Sequence, residues 1–270
     1  MESWRFLLTP PARGAWNMAV DEAILDAVSR GASQPTLRLY TWEPPCLSLG
    51  YAQPIADVDI PNLKNNRWEI VRRATGGRAI LHTDELTYSV CSPFDDRHLA
   101  GSVLESYKCI ANALLAALRD LGIPAQMKED TRPDSSRSNP VCFEVPSSYE
   151  ITAMGKKLIG SAQVRRKDGI LQHGSLPLSG DLSRITRVLV FPNESTRKVA
   201  EKRLLARATT VESVLGNVIA LSTVTQAFVW AFETVLKINF EPGVLSSLEE
   251  KRADELIQEK YTSPPWTERL

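Results

Sequence analysis

Residues 142–175, CFEVPSSYEITAMGKKLIGSAQVRRKDGILQHGS, hold the clearest strand pattern of this chain. Apolar and polar side chains alternate along it, and small or turn-forming residues interrupt the alternation at short intervals. The pattern predicts strands around Glu150, Leu158 and Ile170. The segments GSAQ and QHGS are interpreted as turns between or beside these strands.

Two reactive side chains lie in this stretch, Cys142 and, fifteen positions later, Lys157. A thiolate is a strong nucleophile, and a nearby ammonium lowers the pKa of a thiol toward neutrality. If the fold brings the two side chains together, they favour acyl transfer. Taken alone, Cys142 is as consistent with a structural role, and a lone strand lysine is most often exposed on the surface.

The residues around Lys157 indicate which side chains point the same way. Because strand side chains alternate, Lys157, Ile159 and Ser161 share one face, while Lys156 points toward solvent. Gly160 is small, as the close approach of a chain-like ligand requires.

The glycine segment RRATGGRAILH, residues 72–82, is the second candidate site. Adjacent glycines allow positive φ and expose N–H groups that bind anions. The spacing matches neither a P-loop nor a dinucleotide-binding fingerprint. A tight hairpin turn with solvated arginines explains the segment equally well. The candidates to hold a phosphate or carboxylate here are Arg72, Arg73, Gly76, Gly77 and Arg78.

Two histidines, His82 and His173, are candidates for proton transfer near neutral pH. The alternative for each is a histidine that is hydrogen-bonded inside the core.

Composition excludes several classes of function. Lys plus Arg number 32 and Asp plus Glu number 32, so no net charge draws the protein to nucleic acid or anionic membrane. The four cysteines are scattered without zinc-type spacing, which argues against a metal site and against a disulfide framework. The sequence shows no secretion signal and no apolar run that spans a bilayer, so we expect a cytoplasmic protein.

The remaining pattern predicts a mixed α/β (α+β) fold in one domain, 1–270, with a short helical tail at about 243–270. A helix is expected from a cap at Asn17 to Ser29, and another from Ser102 to Leu121. The polar segment 129–140 is expected to be a mobile surface loop. Further strands are expected at 36–42, 67–73 and 86–91, and further helices between 192 and 236 and at 247–260.

Six segments resemble the biotin/lipoate protein ligase superfamily in the same order along the chain. They are NMAVDEAIL, RLYTWEPPCLSLGYAQ, VRRATGGRAILHTDELTYSV, GKKLIGSAQ, LQHGS and KYTSPPW. Within that superfamily, VCFEVPSSYE before GKKLIGSAQ is similar to octanoyltransferases of the LipM type. The resemblance implies a mixed sheet flanked by helices in a single catalytic domain.

The resemblance also implies a reaction and its partners. Octanoate would pass from acyl carrier protein to the lipoyl-accepting lysine of glycine cleavage H protein or of another lipoyl domain. Cys142 corresponds to the acyl-thioester nucleophile, and Lys157 to the lysine that lowers its pKa. No ATP or metal is implied, because a thioester is already activated, and a monomer is expected. The substrate-binding positions implied are Arg72, Arg73, Gly76, Gly77, Arg78, His82, Gly160, Ser161, His173 and Gly174.

Several alternatives stay open. An ATP- and Mg-dependent lipoate–protein ligase shares the glycine segment and the lysine, although the short segment after Pro242 argues against the accessory domain that many ligases carry. A lipoyl-domain amidotransferase would use the same thiol and lysine. Biotin ligation is less favoured, because RRATGGR differs from the GRGRRGR typical of biotin enzymes. A carrier or sensor that binds the acyl group without turnover is the non-enzymatic alternative.

Overall fold

The computed structural model describes residues 2–129, 149–166 and 168–270, and Cys142 lies outside them. Within this part of the chain the strands form two sheets. The strands are β1 (Glu2–Leu8), β2 (Thr36–Tyr40), β3 (Cys46–Leu49), β4 (Glu69–Arg72), β5 (Ile80–His82), β6 (Glu85–Pro93), β7 (Ala125–Glu129), β8 (Tyr149–Ala153), β9 (Lys156–Arg166), β10 (Gly169–Pro177) and β11 (Ile238–Pro242). The α-helices are α1 (Gly14–Ser29), α2 (Ile60–Asn65), α3 (Val103–Asp120), α4 (Glu194–Arg207), α5 (Val211–Leu215), α6 (Leu221–Leu236), α7 (Ser247–Leu256) and α8 (Pro264–Thr267).

The larger sheet is mixed. Its eight strands run in the order β11-β1-β2-β6-β10-β9-β8-β7. β1 is parallel to both of its neighbours, and the pairs from β2 to β7 are antiparallel. The smaller sheet has the order β4-β3-β5 and contains the end of the glycine segment. This architecture confirms the predicted mixed sheet flanked by helices.

Helices cover both faces of the larger sheet. Side chains of β2, such as Leu37 and Leu39, pack with α3 and α6 in one core, whereas Tyr40 packs with α1 and α7 in another. The predicted alternation of β2 is therefore present, but all five of its residues are buried. Because helices cover both faces of β2, Arg38 lies in the interior, where it requires partners of opposite charge.

The helix predicted from Ser102 is confirmed. The Ser102 hydroxyl accepts a hydrogen bond from the Glu105 amide, and the Glu105 carboxylate accepts one from the Ser102 amide, which satisfies two amides at the start of α3.

The predicted cap at Asn17 is wrong. α1 begins at Gly14, and Asn17 lies inside its first turn, fully buried. Its Nδ2 donates to the carbonyls of Ala12 and Thr41, so it joins the helix to neighbouring backbone instead of capping it. A Cβ on Gly14 would lie 2.3 Å from Cys46 Sγ, so glycine allows this close start against the smaller sheet.

The residues expected to form a helical tail are integrated into the molecule. α7 packs on α1, and α8 contacts β4, while β11, just before this segment, pairs with β1 at the edge of the larger sheet. Among the helices of the described residues, none has the length and apolar character needed to cross a bilayer.

Candidate active site

A cavity opens between the centre of the larger sheet and the smaller sheet. Its walls combine apolar side chains with hydroxyls and imidazoles. The lining residues are Met18, Tyr40, Trp42, Ser48, Arg73, Gly77, Ile80, His82, Thr87, Gly160, Ser161, Ala162, His173, Gly174 and Ser175.

Seven of the positions implied by the resemblance meet at this cavity, although they come from segments far apart in sequence. They are Arg73, Gly77, His82, Gly160, Ser161, His173 and Gly174. Arg72, Gly76, Arg78 and Lys157 are not among its lining residues.

The segments GSAQ and QHGS are strands, not the turns that their small residues suggested. Gly160 and Ser161 lie in β9, His173 and Gly174 lie in β10, and Gly174 pairs with Ser161. A Cβ on Gly174 would lie 2.6 Å from Tyr88 Cε1, so glycine is required for close packing here. The Ser161 hydroxyl is 2.7 Å from the Tyr88 hydroxyl, which fixes this part of the wall.

Arg73 shapes the glycine segment from within. Its Nη2 donates to the carbonyls of Gly76 and Arg78 at 2.8 Å, and its Nη1 donates to the Ser48 carbonyl at 3.0 Å. Gly77 has φ +92°, a conformation that glycine adopts readily. Arg73 therefore holds the turn closed against β3 and contributes a buried positive charge to the cavity wall.

Arg72 does not line the cavity, and its predicted place beside the acyl group stays a prediction. Its side chain is fully buried and its guanidinium donates to backbone carbonyls on two segments. The acceptors are the carbonyls of Gly50, Tyr51, Gln53, Trp266, Thr267 and Arg269. Arg72 thus joins the C-terminal segment to the turn after β3. Its donors already have acceptors.

His82 is part of a short hydrogen-bonded chain in the cavity wall. Its Nε2 is 2.8 Å from Ser48 Oγ and its Nδ1 is 2.7 Å from Glu85 Oε1. The Trp42 ring stacks on the imidazole, with 3.9 Å between centroids. Burial acts to raise the pKa of Glu85, but His82 and hydrogen bonds from Ser175 and Thr87 outweigh it and hold that pKa below its ordinary value.

His173 belongs to a second buried network. Its Nε2 is 2.6 Å from Thr75 Oγ1, and its Nδ1 is 3.4 Å from Asp21 Oδ2. Asp21 also forms a fully buried ion pair with Arg38 at 2.7 Å. Burial acts to raise the pKa of Asp21, but Arg38 and His173 hold it below its ordinary value. Burial lowers the pKa of His173, so the imidazole favours its neutral form.

Lys157 lies on β9, three residues before the lining residue Gly160. Its side chain is only 5% exposed and its Nζ is 2.9 Å from Glu150 Oε1. Lys156 points the other way and its Nζ donates to the Leu205 carbonyl at the surface, as the alternation predicted. The Lys157 ammonium is therefore a buried charge held in an ion pair beside the cavity strand.

Three cysteines lie in the described part of the chain, and all are poorly suited to act as thiolates. Cys46 and Cys91 are buried, and burial raises their pKa well above the ordinary value. Cys109 is partly buried on α3, and burial raises its pKa as well.

Sequence reasoning missed Asp21, Arg38, Ser48 and Glu85, which anchor the two histidines. Asn17 and Asp21 are four residues apart in α1, so they lie on the same face of the helix, and both are buried. Polar residues on the apolar face of a predicted helix were therefore the sequence signal that could have indicated this network.

Comparison with known proteins gives a consistent assignment. The family model described as "Lipoyl protein ligase A/B catalytic domain" matches residues 13–233. The chain is 39% identical over 272 residues to "Octanoyltransferase LipM" of Brevibacillus brevis, covering 98% of this chain and 99% of that protein. It is 40% identical to the protein of the same name in Kyrpidia tusciae, covering 100% of both chains.

A solved structure has the same fold. It is the bipartite lipoate protein ligase of Thermoplasma acidophilum, whose structure was described together with its E2 lipoyl domain. Its TM-score to this chain is 0.82 at 26% identity, and the match covers 99% of this chain and 97% of that one. The chain belongs to the lipoyl protein ligase A/B catalytic domain family.

Proposed function

We propose that this protein is an octanoyltransferase of lipoate biosynthesis that acts on lipoyl domains. The observation that carries the proposal is the similarity to octanoyltransferases over essentially the whole chain. We further propose octanoyl-acyl carrier protein as the donor and the lipoyl-accepting lysine of glycine cleavage H protein as the acceptor.

The proposed reaction has two half-reactions. The first converts the donor thioester into an enzyme thioester, and the second converts the enzyme thioester into an amide. The Cys142 thiolate attacks the donor thioester carbonyl, the carrier thiol leaves, and an S-octanoyl enzyme remains. The acceptor amine then attacks this carbonyl, the C–N bond forms and the C–S bond breaks. This chemistry needs neither ATP nor a metal, because the donor thioester supplies the activation.

The cavity suits an eight-carbon chain. Met18, Trp42 and Ile80 supply apolar wall, and Gly160 and Gly174 leave room beside it. Burial of each methylene contributes roughly 0.8 kcal/mol, so the octanoyl chain adds substantial binding energy without any polar contact.

Lys157 is proposed to act as a fixed positive charge toward Cys142 and the developing oxyanion. Lys156 is the matched control, since it has the same side chain one residue away and points to the surface. We expect Lys157→Met to slow acyl-enzyme formation about 100-fold, in the range seen when one oxyanion donor is lost. Lys156→Met should leave the rate of acyl-enzyme formation unchanged. Equal rates in the two variants would remove Lys157 from the mechanism.

ATP-dependent ligation is the second candidate, favoured by the fold shared with a lipoate protein ligase. Amidotransfer between two lipoyl domains is the third. One assay separates them: an acceptor lipoyl domain is incubated with octanoyl-acyl carrier protein, with octanoate plus ATP and Mg²⁺, or with an octanoylated lipoyl domain. We expect modification from the first donor without ATP. Modification from octanoate that requires ATP would identify a ligase, and modification only from the octanoylated domain would identify an amidotransferase.

A further inference from the structure

We propose that His82 accepts, through the Ser48 hydroxyl, the proton that the acceptor lysine must lose in the second half-reaction, and that Glu85 is its positioning residue. This assignment rests on the proposed transferase function and its acyl-enzyme. It gives a chemical role to the hydrogen-bonded chain in the cavity wall.

The direction of each hydrogen bond in this chain follows from the groups that form it. An arginine can only donate, so Ser48 Oγ accepts from Arg73 Nη1 at 3.1 Å. The Ser48 hydroxyl hydrogen is then available for His82 Nε2 at 2.8 Å. The carboxylate of Glu85 accepts from His82 Nδ1–H at 2.7 Å. Nδ1 of His82 therefore carries the ring hydrogen, and Nε2 carries the lone pair. That lone pair faces Ser48, a residue of the cavity wall.

The chemistry requires such an acceptor. A lysine amine has an ordinary pKa of about 10.4, so at pH 7 only about one molecule in 2,500 is the neutral nucleophile. Lys157 is an ammonium in an ion pair with Glu150, and an ammonium donates protons but has no lone pair to accept one.

Charge balance distinguishes His82 from His173. Asp21, the carboxylate beside His173, is already neutralised by Arg38 at 2.7 Å, and its contact to His173 is long at 3.4 Å. The contacts of Glu85, in contrast, are the hydroxyls of Thr87 and Ser175 and the ring of His82. A proton on His82 would give Glu85 its countercharge. Within the described part of the chain, the charged or titratable groups near His82 include Arg73 from the glycine segment, Glu85 from β6, His173 from β10 and Cys46, its partner on β3.

Each proton that the acceptor ammonium loses has a destination in this step. The ammonium passes one proton to Ser48 Oγ while the Ser48 hydroxyl proton passes to His82 Nε2. The neutral amine attacks the thioester carbonyl, and the C–N bond forms as the C–S bond breaks. The second amine proton goes to the departing thiolate, and His82 later releases its proton to solvent.

The experiment separates the half-reactions. Wild type, His82→Gln and Glu85→Gln are each converted to the octanoyl enzyme, which is quantified by intact mass. Each is then mixed with an acceptor lipoyl domain or with hydroxylamine, an amine that is mostly unprotonated at neutral pH and needs no base. Lys156→Met is the control variant.

We expect His82→Gln to form the octanoyl enzyme and react normally with hydroxylamine, but to transfer to the lipoyl domain about 100-fold more slowly, a typical contribution of a general base. For Glu85→Gln we expect slower transfer to the lipoyl domain and a normal reaction with hydroxylamine, because the variant loses the carboxylate that orients the His82 ring. A purely structural role would slow both amines alike.

Equal slowing toward hydroxylamine and the lipoyl domain would overturn the proposal, as would wild-type transfer by His82→Gln. Loss of octanoyl-enzyme formation in His82→Gln would also overturn it, by assigning His82 to the first step or to folding. If wild type itself forms no octanoyl enzyme, the proposed function fails together with this inference, and that result is distinct from the others.

Discussion

Replacing Arg72 by Met tests whether this residue belongs to the site or to the scaffold. The resemblance implies a place beside the acyl group, whereas the structure shows a fully buried guanidinium that donates to carbonyls of the turn after β3 and of the C-terminal segment. Arg72→Met keeps most of the side-chain volume and removes every donor. We therefore expect lost stability and retained acylation.

The size of the effect follows from the acceptors. A buried carbonyl left without a donor costs about 1–3 kcal/mol. The carbonyls near Trp266 can reach water if the C-terminal segment detaches, but those of Gly50, Tyr51 and Gln53 lie in the turn beside the smaller sheet. The Gly50 carbonyl keeps the Gln53 amide and the Tyr51 carbonyl keeps Arg269 Nη2. The variant therefore weakens the hydrogen bonding of this turn without stripping it, which predicts a loss of roughly 1–3 kcal/mol in the free energy of unfolding.

Two assays check this prediction, with Arg30→Met as the control because Arg30 is exposed at the end of α1. Urea unfolding should give the stated loss for Arg72→Met and a change within about 0.5 kcal/mol for the control. Chymotrypsin should cleave faster at Trp266 in Arg72→Met, since that segment loses its anchor. An Arg72→Met protein of unchanged stability that no longer forms the octanoyl enzyme would refute this reasoning and return Arg72 to the site.

Three further predictions concern the cavity and its support. Gly174→Ala should lower the free energy of unfolding, measured in urea, by about 1–3 kcal/mol, because the added Cβ would lie 2.6 Å from Tyr88. Gly76→Ala, at a position that faces open space, should lower it little. Equal losses in the two variants would contradict the packing argument. The pKa of Asp21 is lowered in the folded state, so its contribution to folding stability is present above the unfolded pKa of about 3.9 and is lost as pH falls through the lower folded pKa. Asp21→Asn should therefore make the midpoint of urea unfolding depend less on pH between pH 7 and pH 2. An unchanged dependence at acid pH would contradict this. Ile80→Trp should fill the acyl cavity and reduce octanoyl transfer more than butyryl transfer in matched assays, and an equal reduction would place the chain elsewhere.

The strands could be predicted from sequence because alternation is a local property. β2 shows the limit of this reasoning: its alternation was read correctly, but both of its faces are buried, so Arg38 was not recognised as an interior charge. Gly174 was interpreted as a turn residue because glycine commonly marks turns. In the structure it lies in β10, where a Cβ would lie 2.6 Å from Tyr88 Cε1 and 2.7 Å from Ser161 Oγ, so tertiary packing requires the glycine.

The site was predicted only in part for the same reason. Arg73, His82 and His173 line one cavity as the resemblance implied, but the groups that orient them come from other elements. Asp21 lies 152 residues before His173 in the chain, and their contact depends on α1 crossing β10. Such contacts are properties of the assembled layers, so the local pattern carries no direct sign of them.

The roles of Cys142 and Lys157 rest on the sequence and on the ion pair of Lys157 with Glu150, because Cys142 lies outside the described residues. Cys109 is the natural control thiol, since it is the least buried cysteine in the described part of the chain.

The most direct test of the central claim is the intact mass of the protein after incubation with octanoyl-acyl carrier protein in the absence of ATP, followed by peptide mapping of the adduct. We predict one octanoyl group on Cys142, present in wild type and Cys109→Ala and absent in Cys142→Ala. An adduct that persists in Cys142→Ala, or octanoyl transfer to a lipoyl domain by that variant at the wild-type rate, would contradict the cysteine thioester mechanism.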